Sequence, residues 1–300
     1  MYVVLGATGN SGKIVAETLL DRDHQVRVVG RSKKRLEGFA VLGAETFEAD
    51  IADAAALTKA FTGARAVYAL LPPDLASTDY RAQQDRRTDS IASALETAGV
   101  THVVVLSSVG ADKPDKTGPV AGLHVMEKRL SQISKLNALF LRAGYFMENT
   151  LPQVGIIKSF GMMAGPIRAD LAVPMIATRD IGTAAADALL KLEFTGHQTR
   201  ELLGHKDLTY SQVAKIIGAA IGIPNLSYVQ LPADQVIQAM TQMGMSKNMA
   251  ALICEMTDAL NSGYMRALEP RSAANKTATL FEEFVHEVFV PAYKGQATTA

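Results

Sequence analysis

Short apolar runs alternate with amphipathic stretches from residue 2 to about residue 200. The runs 2–5, 25–30, 44–51, 66–71, 101–108 and 138–142 have the length and β-branched content of strands. Between them, 13–20, 54–61, 77–98 and 120–134 carry apolar residues at helical spacing. Strand and helix in alternation predict an α/β fold with a doubly wound parallel sheet and right-handed crossovers. Beyond residue 143 the pattern loosens. Gly161-Met162-Met163-Ala164-Gly165-Pro166 predicts a turn-rich hairpin, and Asp180 is expected to cap a helix over 181–192. From about Gly204 a smaller, mainly helical lobe is expected. It comprises a helix opened by the capping pattern of Thr209 and Gln212, a short strand over 228–231, and helices over 232–243, 246–262 and 278–290. The domain division is then 1–150, with its sheet completed by parts of 170–205, and 151–300. The tail 295–300 is expected to fray.

The first apolar run breaks into Gly6-Ala7-Thr8-Gly9-Asn10-Ser11-Gly12 and continues as a helix. Strand, glycine turn and helix form the setting in which a glycine pattern signals dinucleotide binding. Gly6 permits the tight turn, Gly9 lets the backbone approach a pyrophosphate, and Gly12 lets helix pack on strand. The helix N-terminus then faces the phosphates with free N–H groups and its positive dipole end. Thr8, Asn10 and Ser11 add side-chain donors. An ordinary βα turn is the plainer reading of the same residues.

Composition narrows the functional classes. Lys+Arg and Asp+Glu are 30 each in 300 residues, so no global charge draws the chain to nucleic acid or to an anionic membrane. No basic stripe or recognition motif supports DNA binding. Cys254 is the one cysteine, so no intrachain disulfide forms, and no Cys/His cluster has metal-site spacing. No apolar run reaches membrane-spanning length. With a strand expected from residue 2, no leader peptide is expected, and the chain reads as soluble and cytoplasmic.

The end of the second strand selects among dinucleotides. An NAD site places an acid there for the ribose hydroxyls. Here no Asp or Glu lies between Asp23 and Glu37, while Arg31, Lys33, Lys34 and Arg35 crowd the tip. An Arg fork suits a 2′-phosphate, so NADP(H) is expected, with Arg31 as the main contact and Lys34 as a weaker one. A solvated basic loop is the alternative. Asp50, followed by Ile51, either accepts from the adenine amino group or caps the next helix, with Asp53 as rival. Leu70, Leu71 and Pro72 are expected to pass under the cofactor with apolar and backbone contacts. Met240, Met243, Met245, Met249 and Met256 read as adaptable core of the C-terminal lobe before they read as a ligand surface.

As a set, the glycine turn, Gly30-Arg31, Ala49-Asp50, Ser107-Ser108, Glu127…Leu130…Leu141-Arg142, Phe146-Met147-Glu148-Asn149 and Arg179-Asp180-Ile181-Gly182 resemble the NmrA-like branch of the atypical short-chain dehydrogenases/reductases. Within it the chain is similar to bacterial proteins of the NADPH:quinone reductase and triphenylmethane reductase type. The resemblance covers almost the whole chain. It implies a Rossmann domain, NADP(H) preference and a C-terminal substrate lobe. The nicotinamide cleft would open near Ser107, Tyr145 and Phe146, and an acceptor would lie among Ser108, His124, Tyr145, Phe146 and Asn149. The branch also contains redox sensors, which bind cofactor to regulate a protein partner.

The wider superfamily uses a Tyr-x-x-x-Lys pair, and no tyrosine of this chain is followed four residues on by lysine. The helix expected there carries His124 and Lys128. Lys128 reads as a surface lysine. His124 reads either as a proton donor or as a helix-surface histidine. Loss of the dyad leaves hydride transfer open for an electron-poor acceptor such as a quinone or cationic dye, which needs orientation more than an acid. Two functions remain: an NADPH-dependent reductase of a small flat acceptor, and a non-catalytic NADP(H) sensor that binds a protein. The oligomeric state, a homodimer included, stays open.

Overall fold

The computed structural model describes residues 1–296, so most of the tail expected to fray lies outside the described residues. Gly295 and Gln296 bond back to Ala292 and Pro291. Six strands follow in order: β1 (Tyr2–Leu5), β2 (Val26–Gly30), β3 (Glu45–Glu48), β4 (Ala66–Ala69), β5 (His102–Ser108) and β6 (Asn137–Ala143). After β7 (Tyr145–Phe146), β8 (Met163–Gly165) and β9 (Val173–Ile176), β10 (His197–Leu202) joins them. The order is β10-β6-β5-β4-β1-β2-β3, parallel throughout. This is a Rossmann-type sheet. The chain leaves β1 in one direction to reach β2 and β3, then returns to β4 on the other side. That reversal opens a crevice at the carboxyl ends of β1 and β4.

Period-two alternation sends the strand residues to two cores. Tyr2, Val4, Val28 and Val104 face α1 (Asn10–Leu20) and, later in the chain, 178–191, packing on Val15, Leu19, Ile181 and Leu189. Val3, Leu5, Val103 and Val105 face the opposite way. There they meet Leu57 and Phe61 of α3 (Ala54–Phe61), Ile91 and Leu95 of α4 (Tyr80–Thr97), and Met126 and Leu130 of α5 (Val120–Leu130). Between β2 and β3 lies α2 (Lys33–Val41), a helix the sequence reading does not place there, so Lys33, Lys34 and Arg35 of the basic tip form its first turn. Only Leu36 and Phe39 of α2 are buried, too few apolar positions to announce it in the sequence.

The C-terminal lobe corrects two expectations. The segment expected to form a hairpin holds β8, which instead pairs in parallel with β12 (Tyr228–Gln230), a partner far along the chain. The short β11 (Asp207–Leu208) pairs with β9. Helix α6 (Gln153–Phe160) precedes β8, and α7 (Thr178–Lys191) starts before Asp180, so Asp180 is not its cap. The Asp180 carboxylate instead accepts from the Thr279 amide and hydroxyl at 3.0 and 2.7 Å, tying the C-terminal segment down. Helices α8 (Tyr210–Ile221), α9 (Ala233–Gln242) and α10 (Lys247–Asn261) complete the lobe, with a helical segment from Phe281 to Tyr293. Thr209 and Gln212 form the expected capping box. The methionines are split: Met249 is buried, whereas Met243 is 72% exposed on the surface. Among the described residues no helix is long and apolar enough to cross a membrane, and no group of His, Cys, Asp and Glu could hold a metal.

Candidate functional site

The turn after β1 has the geometry a phosphate approach requires. Gly6 sits at φ +68°, where a side chain would be strained and would press on Leu70. A Cβ on Gly12 would stand 2.3 Å from the Gly6 carbonyl oxygen, so only glycine lets α1 lie this close. A Cβ on Gly9 would meet that oxygen alone, at 3.4 Å, so the face of Gly9 is otherwise open. No side chain caps α1, whose first amides keep their donor capacity for an anion. Thr8 and Asn10 are exposed at the turn. Ser11 corrects the expectation of a third side-chain donor. It is buried, and its hydroxyl shares a 2.9 Å hydrogen bond with the Tyr68 hydroxyl inside the sheet.

A cavity of about 120 Å³ opens beside this turn. It brings together Gly6, Thr8, Arg31, Ile51, Leu70 and Pro72 of the residues expected there. It also includes Arg35 and Arg87, which sequence reasoning missed. Lys34 is exposed and does not line it; on α2 the neighbouring Arg35 turns to the cavity instead. Leu71 is buried in the second core and does not line the cavity. Asp50 does not line it either: its carboxylate accepts from the Ala52 amide at 2.8 Å, and Asp53 caps α3 through the Ala56 amide. Arg87 had a signal in the sequence. Tyr80, Gln84, Arg87, Ile91 and Leu95 form one helical stripe, and a charge on such a stripe needs a partner. Its guanidinium donates to the Pro72 carbonyl at 2.9 Å and lies 4.0 Å from Asp74.

The residues expected around the nicotinamide are not part of this cavity. Ser107 is buried and donates to Glu127 at 2.6 Å. Glu127 also takes two bonds from Arg142, at 3.0 and 2.6 Å, so the end of β5 is braced by a buried ion pair. This Glu127 bond, with the Glu127 hydrogen bond as its main cause, holds Arg142 above its ordinary value. The Ser108 hydroxyl bonds the Val109 carbonyl, and Asn149 is exposed. Tyr145 accepts from the Tyr210 hydroxyl at 3.1 Å, and burial pushes its own ionisation up. Phe146 packs against the first core. His124 is half-buried, with Nδ1 2.8 Å from the Ala111 carbonyl. That bond places the ring proton on Nδ1 and leaves Nε2 an acceptor, so His124 donates from Nε2 only as the imidazolium. Lys128 is exposed.

Glu148 anchors the other side of this region. It accepts from the Thr178 amide and hydroxyl at 2.9 and 2.5 Å, at the start of α7. Its second oxygen is buried without a partner, and burial holds its carboxyl above the ordinary carboxylate value. A carboxyl raised on folding contributes stability below its unfolded value and loses it as pH rises through the folded one. Unfolding midpoints of the wild type are therefore expected to contain a decline as pH rises above about 4.5. Glu148→Gln should remove that decline, and equal pH slopes in both proteins would refute this account.

A parallel sheet with its crevice at a topological switch point, a glycine turn below it and arginines at its rim defines the class of Rossmann-type dinucleotide-binding proteins. The chain belongs to the NmrA-like family, whose sequence profile matches residues 2–285. It is 29% identical over 273 residues to an NAD(P)H azoreductase of Xenophilus azovorans, covering 89% of this chain and 87% of that one. It is 26% identical over 261 residues to quinone oxidoreductase 2 of Escherichia coli, covering 85% and 86%. Among solved structures, an NADPH-dependent quinone oxidoreductase of Escherichia coli complexed with NADPH superposes with a TM-score of 0.83 at 22% identity, covering 96% of this chain and all of the other.

Proposed function

We propose that this protein is an NADPH-dependent reductase that passes a hydride to a small, flat, electron-poor acceptor such as a quinone or an azo dye. The observation that carries the reading is the cavity beside the glycine turn, with Arg31, Arg35 and Arg87 around it. Arg31 follows β2, Arg35 lies on α2 and Arg87 on α4, a set suited to an anionic nucleotide bearing a 2′-phosphate. The azoreductase and quinone oxidoreductase relatives support the same class of chemistry. When bound, the dinucleotide supplies the hydride. The chain's part is to hold the phosphates on the α1 amides, to grip the 2′-phosphate, and to keep the acceptor in near-attack geometry. With no Tyr-x-x-x-Lys pair in the sequence, protonation of the product falls to water, or to His124 when it is doubly protonated.

A second reading, a cofactor-binding sensor with a protein partner, has one observation in its favour. The loop after β5 is packed tightly by the C-terminal lobe. A Cβ on Gly118 would stand 1.9 Å from the Leu252 carbonyl, and one on Gly110 would stand 2.3 Å from Met265. Little space remains over that loop for an acceptor.

The deciding experiment is NADPH oxidation followed at 340 nm with quinones and azo dyes, with NADPH and NADH binding measured in parallel. Turnover with NADPH preferred is the expected result. Arg31→Ala should weaken NADPH about 10- to 100-fold, the scale of one charge-assisted phosphate contact, and leave NADH within about twofold. Tight NADPH binding without turnover of any acceptor would favour the sensor.

A further inference from the structure

The β2 end lacks the acid that would favour NADH, yet the fold brings one beside Arg87 of the cavity wall from elsewhere in the chain. Asp74 lies in the loop between β4 and α4. Its carboxylate is 4.0 Å from the Arg87 guanidinium that lines the cavity, and its side chain is 32% exposed. It accepts from Gln83 at 2.8 Å and from the Ala76 amide at 3.2 Å. The Gln83 bond is the main cause that lowers its carboxyl below the ordinary value, with Arg87 and Arg31 adding to it. Arg31 of the β2 end lines the same cavity as Arg87. Glu48 accepts from the Lys33 amide at 3.2 Å; like Asp74 and Asp50 it does not itself line the cavity, and no ion pair joins it to a cavity arginine among the described residues.

The loop that carries Asp74 is held at many points. Arg87 grips the Pro72 carbonyl at its start. The Ser246 amide and hydroxyl, at the start of α10, donate to the Leu75 and Ser77 carbonyls at 2.8 and 2.5 Å. Asn248 accepts from the Tyr80 amide at 3.0 Å. The C-terminal lobe thus clamps the loop backbone, and the Gln83 and Ala76 bonds hold the carboxylate beside Arg87. A fixed anion beside a phosphate-binding cation lowers the gain from each added phosphate charge.

We propose that Asp74 is a specificity-determining residue: its carboxylate competes with the 2′-phosphate of NADPH for the arginines around the cavity, and so narrows the preference for NADPH over NADH. The inference rests on the cofactor reading above and adds the residue that tunes it. In NADPH binding, the 2′-phosphate seats on the arginines of the cavity against the repulsion of Asp74, which lies 4.0 Å from one of them, Arg87. NADH, with a hydroxyl in that place, meets no such repulsion.

The test is calorimetric titration of wild type, Asp74→Asn and the double variant Arg31→Ala/Asp74→Asn with NADPH and with NADH. Asn keeps an acceptor for Gln83 and removes the charge. Asp74→Asn is expected to tighten NADPH about five- to tenfold, the scale of unit charges about 4 Å apart when well screened by water, with NADH within about twofold. The gain should vanish in the double variant. Equal tightening of both nucleotides, no change in either, or a gain that survives loss of Arg31 would overturn the proposal. A wild type that binds neither nucleotide would instead overturn the cofactor reading, and this inference with it. Thermal unfolding of each variant separates these outcomes from misfolding.

Discussion

Arg142→Met is expected to destabilise the protein by about 3–5 kcal/mol, the cost of leaving one partner of a buried ion pair alone. Arg142 on β6 meets Glu127 of α5 through two hydrogen bonds, with side chains only 13% and 9% exposed. Without the guanidinium, the Glu127 carboxylate keeps just the Ser107 hydroxyl as a partner. The register sets Ser107 directly beside Arg142 across β5 and β6, so all three groups lie at one end of the sheet. A fall in melting temperature of roughly 10 °C is expected. Replacing both charges, Arg142→Met with Glu127→Leu, should recover most of it, because a well-packed apolar pair avoids the desolvation of two ions. A single-variant loss below about 1 kcal/mol, the range of exposed pairs, would mean that solvent reaches the pair.

The two glycines of the turn should fail in different ways. In Gly12→Ala the new methyl would stand 2.3 Å from the Gly6 carbonyl oxygen and 2.6 Å from its carbon. Helix α1 cannot retreat, because Gly182 of α7 lies against its other side: a Cβ there would be 2.6 Å from Ile14 and 2.8 Å from the Ser11 carbonyl. A loss of about 1–3 kcal/mol is expected, as for other overpacked sites, together with a nucleotide affinity lowered by roughly 100-fold. Gly9→Ala meets one atom at 3.4 Å, an ordinary contact. It should keep its melting temperature and lose nucleotide binding, since the methyl occupies the face a pyrophosphate would approach. Thermal unfolding and nucleotide titration of both variants check the contrast. Unchanged affinity in Gly9→Ala would move the phosphates away from this turn.

Much of the site was written locally, and the exceptions share a cause. The glycine turn is legible because each glycine answers a demand of its own backbone. Arg31 is legible because the residue after a strand end stays at that end. Which of Lys34 and Arg35 lines the cavity is not legible, because α2 turns consecutive residues by about 100° and only Arg35 reaches it. Ser11 reads from the sequence as a donor at the turn and Ser107 as a neighbour of the nicotinamide, whereas each is engaged by a residue distant in sequence, Tyr68 and Glu127. Asp180 resembles a cap by sequence, but α7 begins before it, and Thr279 takes its carboxylate from the other end of the chain.

Periodicity and backbone chemistry were enough to specify the alternating sheet, its nucleotide turn and the cationic end of β2. Those features depend on residues within a turn or two of one another, so a linear reading reaches them. The folded chain alone decided which charges meet. Asp74 meets Arg87 from another segment, Arg31 joins Arg87 around the cavity from a third, and the clamp on the Asp74 loop comes from Ser246 and Asn248 in the C-terminal lobe. Burial and long-range hydrogen bonding assign each polar group its partner, and both arise only when the sheet, its helices and the lobe have packed together.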